Sequence, residues 1–178
     1  MPNTNRIPIK WSIKWKLMAT VTLLLVSFVV ILTYFQISSQ KGLLEKELDK
    51  RISLMKANLV ERGKNYISNV SQQIQKDLAS YNISNIIETV KQTASTNKDI
   101  KYAVLMQSNG MAFVHTLDSK LAKTRLDGER DKTALEKTET TVMEYREADE
   151  SVIEIIIPIK ISTNPWGVLR LIYTLREL

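Results

Sequence analysis

Residues 101–116 read KYAVLMQSNGMAFVHT, and this stretch decides the fold. Tyr102 to Met106 form an unbroken apolar run, and Met111 to Val114 form a second. Ser108-Asn109-Gly110 separates them, and Asn and Gly are the residues that accept the positive φ of a tight turn. A strand over 101–107, a turn, and a returning strand over 111–116 follow. Downstream the period of two continues. Residues 141–146 (TVMEYR) alternate, 148–151 form a turn, 152–161 (VIEIIIPIKI) are strongly β-branched, Asn164-Pro165 turns the chain, and 166–174 (WGVLRLIYT) alternate again. Residues 117–138 between the two groups are polar and charged, and read as loop with short helix.

Upstream the period is helical. Leu48, Ile52, Met55 and Leu59 recur at 4-3-4 spacing, and Ile67, Val70, Ile74 and Leu78 extend the stripe. No proline lies between Pro8 and Pro158, so a long helix is predicted over 36–81. The first half of its stripe is expected to meet a second protomer near a membrane, and the second half to cover the sheet. A shorter helix is predicted over 84–96, with Ile86, Ile87 and Val90 on one face and Asn82 as turn or N-cap. The class is therefore α+β: a five-stranded antiparallel sheet with helices on one face.

Residues 17–35, LMATVTLLLVSFVVILTYF, contain no charge. At helical rise they span roughly 28 Å, close to the thickness of a bilayer's hydrocarbon core. Trp11 and Trp15 before the run and Tyr34 and Phe35 after it suit the interfaces. Arg6, Lys10, Lys14 and Lys16 precede it and no acid occurs before Glu45, which places the N-terminus in the cytoplasm and the rest beyond the inner membrane, periplasmic or extracellular. A cleaved signal peptide is the competing reading, but the run is long and no Ala-x-Ala site follows. The expected organisation is a basic tail over 1–16, a transmembrane helix over 17–35, a helical membrane-proximal region over 36–97, and the sheet over 98–178, with 84–97 part of its helical cover.

Those four cations account for four of the net charge of +6. The basic character is thus a topology signal, and no nucleic-acid partner is expected. The chain has no cysteine and one histidine, His115, which excludes thiol chemistry, cysteine zinc sites and multi-histidine metal sites. No nucleophile–base pair has convincing spacing, and Asp127-Gly-Glu-Arg-Asp131 only faintly follows a cation loop. No cofactor, metal or enzymatic activity is expected.

Residues 109–121, NGMAFVHTLDSKL, resemble the signature of extracytoplasmic PAS-like sensor domains of the Cache group, which includes citrate- and dicarboxylate-sensing histidine kinases. There, as here, a histidine follows the turn glycine by five residues. Residues 157–178, IPIKISTNPWGVLRLIYTLREL, are similar to that group's closing hairpin, with Pro158-Ile159, Gly167, Tyr173 and Thr174 at the matching positions. The resemblance implies signal transduction by a receptor, with a second transmembrane helix and an output module (kinase, chemoreceptor coil or cyclase) expected beyond Leu178. It also implies a small-molecule ligand, an organic acid or an amino acid, while a homodimer is expected from the first half of the helical stripe.

The resemblance points to His115 as donor to a ligand carboxylate, while the residue pattern alone equally allows a satisfied strand histidine. Arg125, Arg130 and Arg146 are the candidate cations, and Tyr102, Tyr145 and Tyr173 the candidate aromatic lining. Two departures stand out. Ala112 replaces the basic residue that often follows the turn glycine by two, which argues against a citrate-like ligand, and Ala122 replaces a glycine after the short helix. The alternative function is a bitopic envelope scaffold with no ligand, its space between sheet and loop filled by Phe113, Val142 and Ile156.

Overall fold

The computed structural model describes residues 12–176, and for residues 39–41 the backbone only. Arg6, Lys10 and Trp11 of the basic tail lie outside the described residues. Helix α1 runs Ile13–Ala79, so the predicted transmembrane and membrane-proximal helices are one element. Among the described residues it is the one helix long and apolar enough to cross a membrane. The chain divides into two units, Met1–Arg51 and Ile52–Leu178. In the first, the apolar side chains from Leu17 to Phe35 are exposed, as a lipid-facing segment requires.

In the second unit α1 ends at Ala79 with Tyr81 in the left-handed region (φ 56°), and the Asn82 N–H donates to the Asp77 carbonyl at 2.8 Å. That six-to-one bond closes the helix in the manner usually built on glycine. Asn82 also caps α2 (Ile83–Thr96), its side chain accepting from the Asn85 N–H at 3.3 Å. The buried Asp77 carboxylate then takes the Asn85 amide at 2.6 Å and the Gln73 amide at 3.0 Å, tying the two helices together.

Five strands follow: β1 (Ile100–Gln107), β2 (Ala112–His115), β3 (Thr141–Glu147), β4 (Glu150–Ile161) and β5 (Asn164–Thr174). All pairs are antiparallel in the order β2-β1-β5-β4-β3. The β1–β2 turn has Gly110 at φ 85°, as the Asn-Gly reading requires. The last hairpin differs from expectation: it turns at Ser162-Thr163, and Asn164 and Pro165 already pair with Ile161 and Lys160.

Both faces of the sheet are covered. Ile67, Val70, Ile74 and Leu78 of α1 and Ile86 and Val90 of α2 pack on Ala103, Leu105, Ile153, Ile155, Leu169, Leu171 and Tyr173. The helical stripe predicted to cover the sheet does so, whereas Leu48, Ile52 and Met55 are exposed. The opposite face carries Tyr102, Val104, Met106, Val152, Ile156, Val168 and Ile172, covered by the 116–140 connection through Leu126, Ala134 and Leu135. That connection holds a 3₁₀ turn (Ser119–Leu121) and helix α3 (Glu129–Leu135). Phe113 and Val142 pack on the helix side, so they do not join Ile156 in filling the loop-side space. Trp166 meets Phe113 edge-on at 5.6 Å and is a packing residue.

Candidate functional site

A chain whose central strands are buried on both faces has no neutral place for a charge, yet β4 and β5 each carry one. Arg170 is 4 % exposed and Glu154 is 1 % exposed. Arg170 stands opposite Ile156, and Glu154 two residues along the same strand and face, a diagonal cross-strand pair. The Arg170 Nε donates to Glu154 Oε1 at 2.5 Å, and its Nη1 donates to Asp131 of α3 and approaches Met106 Sδ at 3.5 Å. Burial works against the guanidinium charge, but Glu154 and Asp131 outweigh it and hold the pKa above its ordinary value.

Above this pair lies a cleft of about 400 Å³ between the sheet and α3, lined by Tyr102, Tyr145, Glu147, Arg170 and residues 128–131. The Tyr102 hydroxyl donates to Glu147 Oε1 at 2.7 Å, and Lys101 Nζ reaches Glu147 Oε2 at 2.9 Å and Glu150 Oε2 at 3.1 Å. Burial first, then the Glu147 contact, pushes the Tyr102 phenol well up. Burial raises Glu147, but hydrogen bonds from Lys101 and Tyr102 prevail and hold its carboxyl below the usual range. The Arg130 guanidinium lies 4.0 Å from the centroid of the Tyr145 ring and donates to the Arg146 carbonyl at 3.3 Å. The Tyr145 hydroxyl is buried, and burial followed by the Glu154 charge pushes its pKa up to about 12.

Tyr102, Arg130 and Tyr145 therefore come together, and four other predicted residues do not line the cleft. His115 stacks on Tyr102 (5.6 Å, 16°), and its Nδ1 accepts the Asp118 N–H at 3.1 Å. Tyr173 lies in the helix-side core, because β5 alternates and Arg170 and Ile172 face the other way. Arg146 is exposed, on the opposite side of β3 from Tyr145 and Glu147. Arg125 bridges Met111 and packs by Gly110 at the hairpin turn. Lys101, Asp131, Glu147, Glu154 and Arg170 were not anticipated. A lone Glu in VIEIII and a lone Arg in VLRLI were the readable signal, since a charge inside a two-sided apolar strand must find a partner.

His115 makes one prediction here. Burial lowers its pKa from 6.5, against the opposing pull of Asp118. The unfolded chain therefore takes up the proton first, and stability is full above about pH 6.5 and declines as pH falls below it. Thermal unfolding of the full chain in micelles is expected at lower temperature at pH 5.5 than at pH 7. His115→Phe, which keeps the stacked ring and cannot titrate, is expected to flatten that interval; an unchanged slope would refute the assignment.

No family model and no curated protein matches the chain. Solved structures do. The sensory domain of the Campylobacter jejuni chemoreceptor Tlp3 with isoleucine bound is similar at 19% identity and TM-score 0.48, over 75% of this chain and 62% of that one. Its complex with L-valine is similar at 20% and 0.48, over 75% and 62%. The extracellular domain of the histidine kinase vpHK1S-Z8 is similar at 18% and 0.43, over 66% and 55%. The chain thus spans about three-fifths of the length of the chemoreceptor domains it resembles. All three are sensory or extracellular domains of membrane receptors, and each is similar to this chain at 20% identity or less.

Proposed function

We propose that this chain is the extracytoplasmic sensory portion of a bacterial transmembrane receptor, binding a small molecule in the cleft between the sheet and α3. The observation that carries the reading is a buried, charged Arg170 at the floor of a cleft walled by two tyrosines. Residues that only fill a core have no need of such a floor. Arg130 and Arg170 line the cleft together with Glu129, Asp131 and Glu147, so cations are matched by anions. A ligand bearing both signs, such as an amino acid, suits that lining better than a polyanion does. The exposed apolar run 17–35 supports insertion in the inner membrane, and Lys14 and Lys16 support a cytoplasmic N-terminus. Exposed Leu48, Ile52 and Met55 offer a stripe for a homodimer.

The test is a thermal-shift screen of the full chain in detergent micelles against organic acids, amino acids and amines. Ligand at a hundred times its Kd adds about 2.7 kcal/mol, which raises Tm by on the order of 10 °C in a domain of this size. A screen in which no class moves Tm would sink the reading. One observation favours the bitopic scaffold instead: Arg170 is already paired with Glu154 and Asp131, so its guanidinium has carboxylate partners without a ligand. A silent screen is the result that alternative expects.

A further inference from the structure

We propose that Asp131 is an internal stand-in for a ligand carboxylate, latching α3 to Arg170 at the cleft until an external carboxylate takes its place. The inference rests on the sensor reading and concerns how that site is regulated. The two carboxylates on Arg170 differ in kind. Glu154 is on the neighbouring strand, its side chain 2 % exposed, and the sheet fixes its distance to Arg170. Asp131 comes from α3 in a long connection, and its side chain is 21 % exposed at the cleft. One carboxylate suffices to neutralise one guanidinium, so Glu154 does that work and Asp131 is the exchangeable partner. It accepts from Nη1, and the same Arg170 lines the cleft.

What Asp131 holds is as informative as what holds it. Helix α3 has seven residues, and Gly128 at its N-cap supplies no side-chain cap. A helix this short has little stability of its own and depends on tertiary anchors. Its anchors on the sheet are the Asp131–Arg170 pair, the packing of Ala134 and Leu135, and Arg130 over Tyr145. The first of these is the one that a solute of matching chemistry can replace. An aspartate side chain ends in the same carboxylate as acetate, and the planar guanidinium receives either in the same geometry. Displacing Asp131 would therefore free the first turn of α3 while leaving the sheet, with Glu154 on Arg170, intact.

The test uses acetate as probe on the full chain in detergent micelles, with wild type, Asp131→Ala and Asp131→Asn. Asp131→Ala is expected to melt below wild type and to regain the loss in acetate but not in equal chloride. Half-saturation by acetate is expected at about a tenfold lower concentration in either variant than in wild type, the scale of one charged hydrogen bond removed from competition. Amide exchange of residues 129–135 is expected to quicken about tenfold in the variants and to slow again with acetate, while β4 and β5 amides hold. Acetate acting no better than chloride on both variants, or equally on variants and wild type, would overturn the proposal. If the screen finds a ligand whose affinity Asp131→Asn leaves unchanged, the latch fails and the sensor reading stands. If the variants answer acetate while wild type answers no compound, the exchangeable position stands and the sensor reading fails.

Discussion

Arg170→Met is expected to cost about 3–5 kcal/mol of unfolding free energy, the range for breaking a buried ion pair by removing one partner. The cause is Glu154 more than Arg170. With its side chain 2 % exposed and 2.5 Å from Nε, the Glu154 carboxylate is left buried without the guanidinium it pairs with. Asp131 is partly exposed and on a short helix, so it can rehydrate. That asymmetry sets up a second variant. Arg170→Met with Glu154→Leu removes the stranded charge and fills the space with apolar volume between Met106, Val152 and Ile172, and is expected to return to within about 1–2 kcal/mol of the parent. Chemical denaturation of the full chain in micelles, followed by circular dichroism of the domain, measures both. A single variant that loses less than about 1 kcal/mol, or a double variant no better than the single, would contradict the buried-pair account. The double variant is also expected to lose any response found in the ligand screen, because the cleft then has no buried cation. The double variant thereby separates stability from binding.

The elements were legible because their signals are local. Asn109-Gly110 between apolar runs, and the 67-70-74-78 spacing, state their geometry within a few residues, and β1, β2 and α2 were found to within one residue at each end. The start of β5 was misjudged for an equally local reason, since Asn-Pro reads as a turn. Here Pro165 pairs only with β4, beyond the point where β1 begins to pair at Gly167, and a register shift between Ile159 and Lys160 accommodates it. The site was less legible because it depends on which face each strand residue takes. Tyr102 and Tyr145 fall on the loop side and Tyr173 on the helix side, and only the pairing register relates the three. Choosing residues by chemical type therefore collected both faces. Arg170 and Glu154 needed a different question, namely which charges interrupt strands that are apolar on both sides.

Gly167→Ala is expected to destabilise the domain by on the order of 3 kcal/mol, although the same change in an open strand would be mildly favourable. Gly167 stands opposite Gln107 of β1 and opposite Ile159 of β4. A Cβ built there would run into the Met106 carbonyl oxygen and come within 2.9 Å of the Gln107 Cα. Both obstacles are backbone, so no rotamer change relieves them. β1 is itself held by β2 on its far side, so it cannot step away without straining the Leu105–Val114 and Val104–His115 pairs. The strain would enter the β1–β5 ladder three residues from the Val104–Arg170 pair, which is why a change at the end of the sheet should also disturb the cleft. Gly42 in α1 is the control: nothing lies within 4 Å of a Cβ there, and Gly42→Ala is expected to leave the domain's unfolding unchanged. Denaturation midpoints of the two variants decide the matter. A Gly167→Ala midpoint at or above the parent's would mean that β1 and β5 are farther apart at Gly167 than this register allows, and the placement of Arg170 against Glu154 would need revision with it.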